Sequence, residues 1–298
     1  MPSQMDTTET RNPRSVGLDA MADEGILGAF LESQERAIAA VRDARDALAQ
    51  ATRAIVARIG EDGRLIYVGA GSSGLIAALD GMELAGTFGW PEARTAFLLA
   101  GGYTIAPGMA GSVEDDAERG RAEMVLLKPK RSDAVIAVAA SGSTPFTVAA
   151  TVAASEAGAL TVGLASNASS PLLKAVDVPV FLDTGAEIIV GSTRMGAGTA
   201  QKAALGLLSS LAMIRLGHVY DGFMVDLRAD NAKLRRRAVQ TLVAIAGCAE
   251  PAAADALDRA GGKVKKAALV LRGLAPAEAE LALAAAGGNL RTAFARLN

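Results

Sequence analysis

Two stretches of this sequence place glycine and adjacent hydroxyls directly after short apolar runs. Gly69-Ala70-Gly71-Ser72-Ser73-Gly74 follows Leu65-Ile66-Tyr67-Val68, and Ser141-Gly142-Ser143-Thr144-Pro145 follows the run from Ala134 to Ala140. A strand that ends in glycine and opens a helix can present backbone N–H groups, the helix's positive end and hydroxyl donors to one anion. Gly71, Ser72 and Ser73 on the first loop, with Ser141, Gly142, Ser143 and Thr144 on the second, are therefore candidate ligands of a phosphate dianion. Such a cup needs no lysine, arginine or metal. Each loop alone reads equally as helix capping by serine or threonine, and Pro145 is well placed in the first turn of a helix. The first loop also satisfies the Gly-x-Gly-x-x-Gly pattern of dinucleotide sites. That reading wants an acidic residue at the end of the following strand to hold a ribose. Glu92, in Trp90-Pro91-Glu92, lies before the next apolar run and is misplaced for it. Two hydroxyl-bearing loops at strand ends of one sheet favour phosphate.

Acidic residues near these loops are the candidates for proton transfer. Glu83 follows the first loop by about two helical turns, in the apolar setting Gly81-Met82-Glu83-Leu84-Ala85. Burial there would raise its pKa and favour the protonated form. Glu114 heads the triplet Glu114-Asp115-Asp116. Taken alone, Glu83 also reads as an ordinary half-buried helix residue, and the triplet as a favourable helix start. Arg194 and Lys202 are candidate partners for a substrate carboxylate, or for Glu187 or a helix dipole. His218, the single histidine, follows Arg215-Leu216-Gly217 and reads first as a structural residue at a helix end. With one histidine and one cysteine, Cys248, the chain is expected to hold no metal and no redox cofactor, and to form no internal disulfide.

The elements that must position these groups follow from hydrophobic period. The chain has 298 residues, 51% of them hydrophobic, enough for one large core or two smaller ones. From Ser33 onward, Ala37, Val41, Ala44, Leu48, Ala51, Ile55 and Ile59 recur at helical spacing and predict one long amphipathic helix, packed on its own sheet or on another helix. Short apolar runs at Arg64–Ala70, Thr95–Ala100, Ala134–Ala140, Leu160–Ala165 and Val178–Leu182 then alternate with helical or turn segments. Val148–Ala157 and Ala197–Leu216 supply crossover helices. The pattern predicts an α/β fold with a doubly wound parallel sheet buried on both faces. Beyond about Asp230 the strand signal stops, and Ala260-Gly-Gly-Lys-Val-Lys-Lys-Ala267 and Ala286-Gly-Gly-Asn-Leu-Arg-Thr-Ala293 match in pattern. The expected organisation is an arm and helices over 1–59, the phosphate-binding sheet domain over 60–229 and a small helical region over 230–298.

Charge excludes some partners. Lys plus Arg number 30 against 32 Asp plus Glu, a formal net charge of −2, so no basic field draws nucleic acid or an anionic membrane. The run Lys233-Leu-Arg-Arg-Arg237 lacks interleaved aromatics and reads as a solvated helix face. The polar N-terminus carries no signal-peptide core, and no stretch approaches the roughly 18 apolar residues of a membrane span. A cytoplasmic protein is expected.

At these residues the sequence resembles the sugar isomerase (SIS) domain family and, within it, the N-acetylmuramic acid 6-phosphate etherase family. The resemblance runs through Thr8-Glu9-Thr10-Arg11-Asn12, both loops, Glu83 with Thr87-Phe88-Gly89, Ala100-Gly-Gly102, Glu114-Asp115-Asp116, Gly191-Ser-Thr-Arg194 with Ala197-Gly-Thr-Ala-Gln-Lys202, and Met213-Ile-Arg-Leu-Gly217. It implies a homodimeric lyase that splits the D-lactyl ether of a phosphorylated amino sugar, with Glu83 as acid toward lactate and Glu114 as base at carbon 2. A non-catalytic sugar-phosphate sensor and an aldose-ketose isomerase are the alternatives on the same fold. The chain departs from the resemblance at Leu75 and Ser143, where arginine is expected, and at Leu84-Ala85-Gly86 in place of Cys-Pro-Pro. Losing a guanidinium removes a bidentate anion clamp.

Overall fold

The structure, a computed structural model, describes residues 7–102, 111–227 and 231–297. Residues 1–6 of the expected arm and the expected boundary at 229–230 lie outside them. The chain forms two compact units, one from Met1–Gly81 and Ala93–Ser209, the other from Met82–Glu92 and Ser210–Asn298.

In the first unit, 3-10 turns at Thr7–Glu9, Pro13–Ser15 and Leu18–Ala20 lead into α1 (Asp23–Asp43) and α2 (Arg45–Ile59). The single long helix expected from the apolar seam is thus two. Ala44 leaves the helical region, with ψ at 3°, and its N–H meets the carbonyls of both Ala40 and Arg42. Because Ala44 is itself buried, the apolar seam runs through the break unmarked.

The five apolar runs become β1 (Leu65–Gly69), β2 (Thr95–Leu99), β3 (Ala134–Val138), β4 (Leu160–Ala165) and β5 (Val178–Phe181). All pair in parallel, in the order β2-β1-β3-β4-β5, with Leu65 beside Thr95 on one side and Ala134 on the other. They alternate with α3 (Gly71–Phe88), α4 (Ala117–Leu127), α5 (Pro145–Glu156) and α6 (Pro171–Ala175), and α7 (Gly196–Arg215) follows. β1, β3 and β4 are buried at every position, as a sheet covered on both faces requires. Met124, Phe146 and Leu172 cover one face. α2 covers the other, lying against β3, β4 and β5 with Leu48, Ala51, Ile55 and Ile59 buried. Of the two packings open to the seam, its α2 half therefore takes the chain's own sheet.

The winding reverses between β1 and β3, so the crevice outside their carboxyl ends is the topological switch point where such sheets bind ligands. Both hydroxyl loops flank it. α3 is held on the sheet by a buried network: the Tyr67 hydroxyl donates to Asp80 Oδ2 at 2.9 Å and Ser209 Oγ donates to Asp80 Oδ1 at 3.0 Å. Burial first, and the Asp80 charge second, push the Tyr67 hydroxyl well above the ordinary tyrosine pKa. A Cβ on Gly81 would fall 2.7 Å from the Tyr67 ring, so only glycine lets the helix come this close.

The last turns of α3 and α7 belong to the second unit, with a hairpin of β6 (Val219–Tyr220) and β7 (Phe223–Met224). Its turn residues Asp221 and Gly222 both have positive φ, 49° and 80°, the requirement of a two-residue hairpin loop. Asp-Gly between apolar pairs is a hairpin signal that the strand and helix periods did not bring out. Five helices follow: α8 (Ala232–Ala246), α9 (Glu250–Arg259), α10 (Val264–Val270), α11 (Pro276–Ala285) and α12 (Leu290–Ala295). The two matched glycine pairs do the same job. Gly262 N–H closes on the Leu257 carbonyl after α9, and Gly288 N–H on the Leu283 carbonyl after α11. The basic run lies exposed on α8, with Arg235 paired to Asp258 at 2.9 Å.

Candidate active site

The first loop is shaped by close backbone approach. A Cβ on Gly69 would lie 2.8 Å from Gly74 Cα, so the end of β1 and the first turn of α3 touch without side chains between them. Gly71, at φ 54°, sits under an acid: a Cβ there would meet Glu114 Oε1 at 2.7 Å. Ser72 and Ser73 follow in the helix's first turn, whose N–H groups have no intrahelical acceptor. Both are half-buried, and their hydroxyls hold no partner among the described residues.

The second loop is built likewise. Gly142 has φ 69°, and a Cβ would fall 2.3 Å from Ser170 Oγ. Ser141 Oγ accepts from Ser143 N at 3.2 Å and from Ser143 Oγ at 3.0 Å. Thr144 stands at the N-cap of α5 yet makes no side-chain bond to the helix. The capping alternative therefore does not account for its hydroxyl. The loop's Ser141 carbonyl accepts from Asn167 Nδ2 at 3.0 Å, which also approaches Thr8 Oγ1 at 3.2 Å. Thr8 is fully buried, so the arm has a core contact that its polar sequence did not announce. Ser166, Asn167 and Ser170 are buried beyond the end of β4, and each has a polar atom without a partner among the described residues. Sequence reasoning missed this third loop, Ser166-Asn167-Ala168-Ser169-Ser170. Its hydroxyls after a strand were the available signal.

Glu114 joins the two loops. Its carboxyl lies over Gly71, and its carbonyl accepts from Phe146 N in the first turn of α5 at 3.0 Å. Burial first, and the neighbouring Asp115 charge second, raise its pKa above the ordinary glutamate value. Within the acidic triplet the helix-start reading belongs to Asp116, whose Oδ1 accepts from Arg119 N at 2.9 Å at the N-cap of α4.

Glu83 is placed differently. It is exposed, on the stretch of α3 that belongs to the second unit, about 18 Å of helix rise beyond Gly71 at about 1.5 Å per residue. The burial expected from its apolar neighbours is absent within the single chain, because Met82 beside it is exposed too. Arg194 is exposed in the turn before α7, and Lys202 is half-buried on that helix. Glu187 is bound by backbone: its Oε2 and Oε1 accept from Gly196 N and Ala197 N, each at 2.9 Å, at the positive end of α7. Among the described residues no three His, Cys, Asp or Glu side chains converge as a metal site would require.

A five-stranded parallel sheet in this order, with two glycine- and hydroxyl-bearing loops at its switch point, defines a protein of the SIS class. Residues 47–156 match the glucokinase regulatory protein N-terminal SIS domain. The fold is similar to that of a putative phosphosugar isomerase involved in capsule formation from Bacteroides fragilis, with a TM-score of 0.50 and 22% identity over 66% of this chain and 94% of that one. Among curated relatives, the N-acetylmuramic acid 6-phosphate etherase of Deinococcus radiodurans is 46% identical over 95% of this chain and 93% of its own. That of Rubrobacter xylanophilus is 42% identical over 96% and 95%. The chain belongs to the N-acetylmuramic acid 6-phosphate etherase family.

Proposed function

We propose that this protein is a lyase that cleaves the D-lactyl ether of N-acetylmuramic acid 6-phosphate, giving N-acetylglucosamine 6-phosphate and D-lactate, in the recycling of cell-wall amino sugar. The observation that carries this reading is Glu114, a carboxylate of raised pKa seated between two anion-binding loops. The first turn of α3, with the hydroxyls of Ser72, Ser73, Ser141, Ser143 and Thr144, holds the phosphate. The anchored sugar then presents carbon 2 to Glu114. Ring opening exposes an aldehyde that acidifies the carbon 2 hydrogen, and Glu114 removes it. Glu83 protonates the departing lactate oxygen, and water adds at carbon 3 of the unsaturated aldehyde to complete the product.

Glu83 reaches the sugar from a second copy of the chain. It shares a helix face with Leu75, Leu79 and Met82, which are 41%, 46% and 69% exposed. A homodimer that covers this stripe buries Glu83 and excludes water around it, as proton delivery to departing lactate needs. The substrate, an intracellular phosphate ester, and the free Cys248 suit the cytoplasm. The test is D-lactate release from N-acetylmuramic acid 6-phosphate. Glu114→Gln and Glu83→Gln are each expected to lower it at least about 100-fold while sugar-phosphate affinity stays. Interconversion of sugar phosphates without lactate would reject the reading.

A further inference from the structure

The second unit contains the chain's single histidine in a buried charge cluster that the chemistry above does not use. The hairpin of β6 and β7 brings His218 beside Asp226, with Val225 N donating to the His218 carbonyl at 3.1 Å. His218 Nδ1 lies 2.9 Å from Asp226 Oδ2, and Lys265 Nζ from α10 pairs with the same oxygen. The His218, Asp226 and Lys265 side chains are only 16%, 27% and 11% exposed. Burying charge of this kind is unfavourable unless geometry is fixed, and its best-attested return is a specified arrangement rather than stability.

What the cluster touches is the end of α3. Gly89, at φ 64°, closes that helix, and a Cβ on it would lie 2.0 Å from the Asp226 carbonyl oxygen. The next residue, Trp90, is 2% exposed and meets the His218 ring edge-on, with centroids 5.8 Å apart. Trp90 N donates to the Leu84 carbonyl at 3.4 Å, reaching the residue directly after Glu83. The backbone and the ring of this one triad thus clamp the turn that ends the acid's helix.

We propose that His218, Asp226 and Lys265 are positioning residues that fix the C-terminal end of α3 and thereby the carboxyl of Glu83. The consequence for lactate departure rests on the proposed function; the clamp itself does not. Two partial reactions separate the acid from the base: exchange of the carbon 2 hydrogen with solvent deuterium reports Glu114, and D-lactate release reports Glu83. In His218→Phe and Lys265→Met, lactate release is expected to slow at least about tenfold, with carbon 2 exchange and KM held near the parent's. His218→Asn, which keeps a polar group within reach of Asp226, is expected to restore most of the rate. Amide hydrogen exchange without substrate gives a second readout: Leu84 to Trp90 exchange faster in His218→Phe, while Gly71 to Leu79 do not. Equal slowing of both partial reactions, no slowing of either, a His218→Asn as slow as His218→Phe, or unchanged exchange at Leu84 to Trp90 would each overturn the proposal. A parent protein that releases no lactate sinks the proposed function instead, and amide exchange then decides the clamp alone.

Discussion

The residue on which the proposed site turns is Glu114, and its electrostatics give that proposal a pH dependence with a definite sign. A base acts only when deprotonated, so a raised pKa moves the acid limb of kcat/KM upward, above the ordinary glutamate value of about 4.3. Burial and Asp115 are the causes, in that order. Asp115→Asn removes the like charge, lowers the Glu114 pKa and should shift that limb to lower pH, as a pH–rate profile of lactate release will show; an upward shift contradicts the assignment. Gly71 gives a steric counterpart. Gly71→Ala forces a Cβ into 2.7 Å contact with Glu114 Oε1 at a positive φ, and is expected to lower kcat/KM about 100-fold, a loss typical of an angstrom-scale misplacement. Sequence pattern nominated these loops; it did not show that the carboxyl of one residue sits on the glycine of another, 43 positions away.

At the scale of elements, α3 is fastened to the sheet by Asp80 and the second loop by Gly142. Asp80→Ala leaves the buried Tyr67 hydroxyl without its acceptor and Ser209 with only the longer bond to the Gly206 carbonyl at 3.4 Å, so it should destabilise by about 2–3 kcal/mol, more than Tyr67→Phe at about 1 kcal/mol. Urea unfolding midpoints rank the two, and equal losses would argue against the network. Gly142→Ala meets Ser170 Oγ at 2.3 Å with φ at 69°. The left-handed conformation alone costs an alanine about 1–2 kcal/mol, and the displaced loop should weaken binding of sugar phosphate, measured by calorimetry. All five strands were legible, because short continuous apolar runs between helical segments are the pattern that a sheet covered on both faces imposes. The break at Ala44 was not, since burial repeats through it, and neither was the two-residue hairpin at Asp221-Gly222, too short to show a period.

For the whole molecule the decisive test is of the proposed homodimer and of which copy supplies Glu83. If one chain gives Glu114 and its partner Glu83, mixing inactive Glu83→Gln with inactive Glu114→Gln restores activity: random exchange makes half the dimers mixed, each with one intact site, or about a quarter of the parental rate. A mixture as dead as its components would mean that each site is built within one chain. Leu79→Glu with Met82→Glu places charge on the exposed stripe, and should yield monomers by light scattering with lactate release lost.

The sequence by itself determined the sheet, the two hydroxyl-bearing loops at its strand ends and the family, because strand period, glycine placement and short motifs are written in neighbouring residues. Only the tertiary structure decided that the Glu114 carboxyl lies over Gly71, that Glu83 is exposed rather than buried, that Thr8 and the Ser166–Ser170 loop back the second loop, and that the His218 ring meets Trp90 at the end of α3. Each of those depends on groups remote in the chain meeting within a few ångströms, and burial and pKa follow from such meetings, not from local composition.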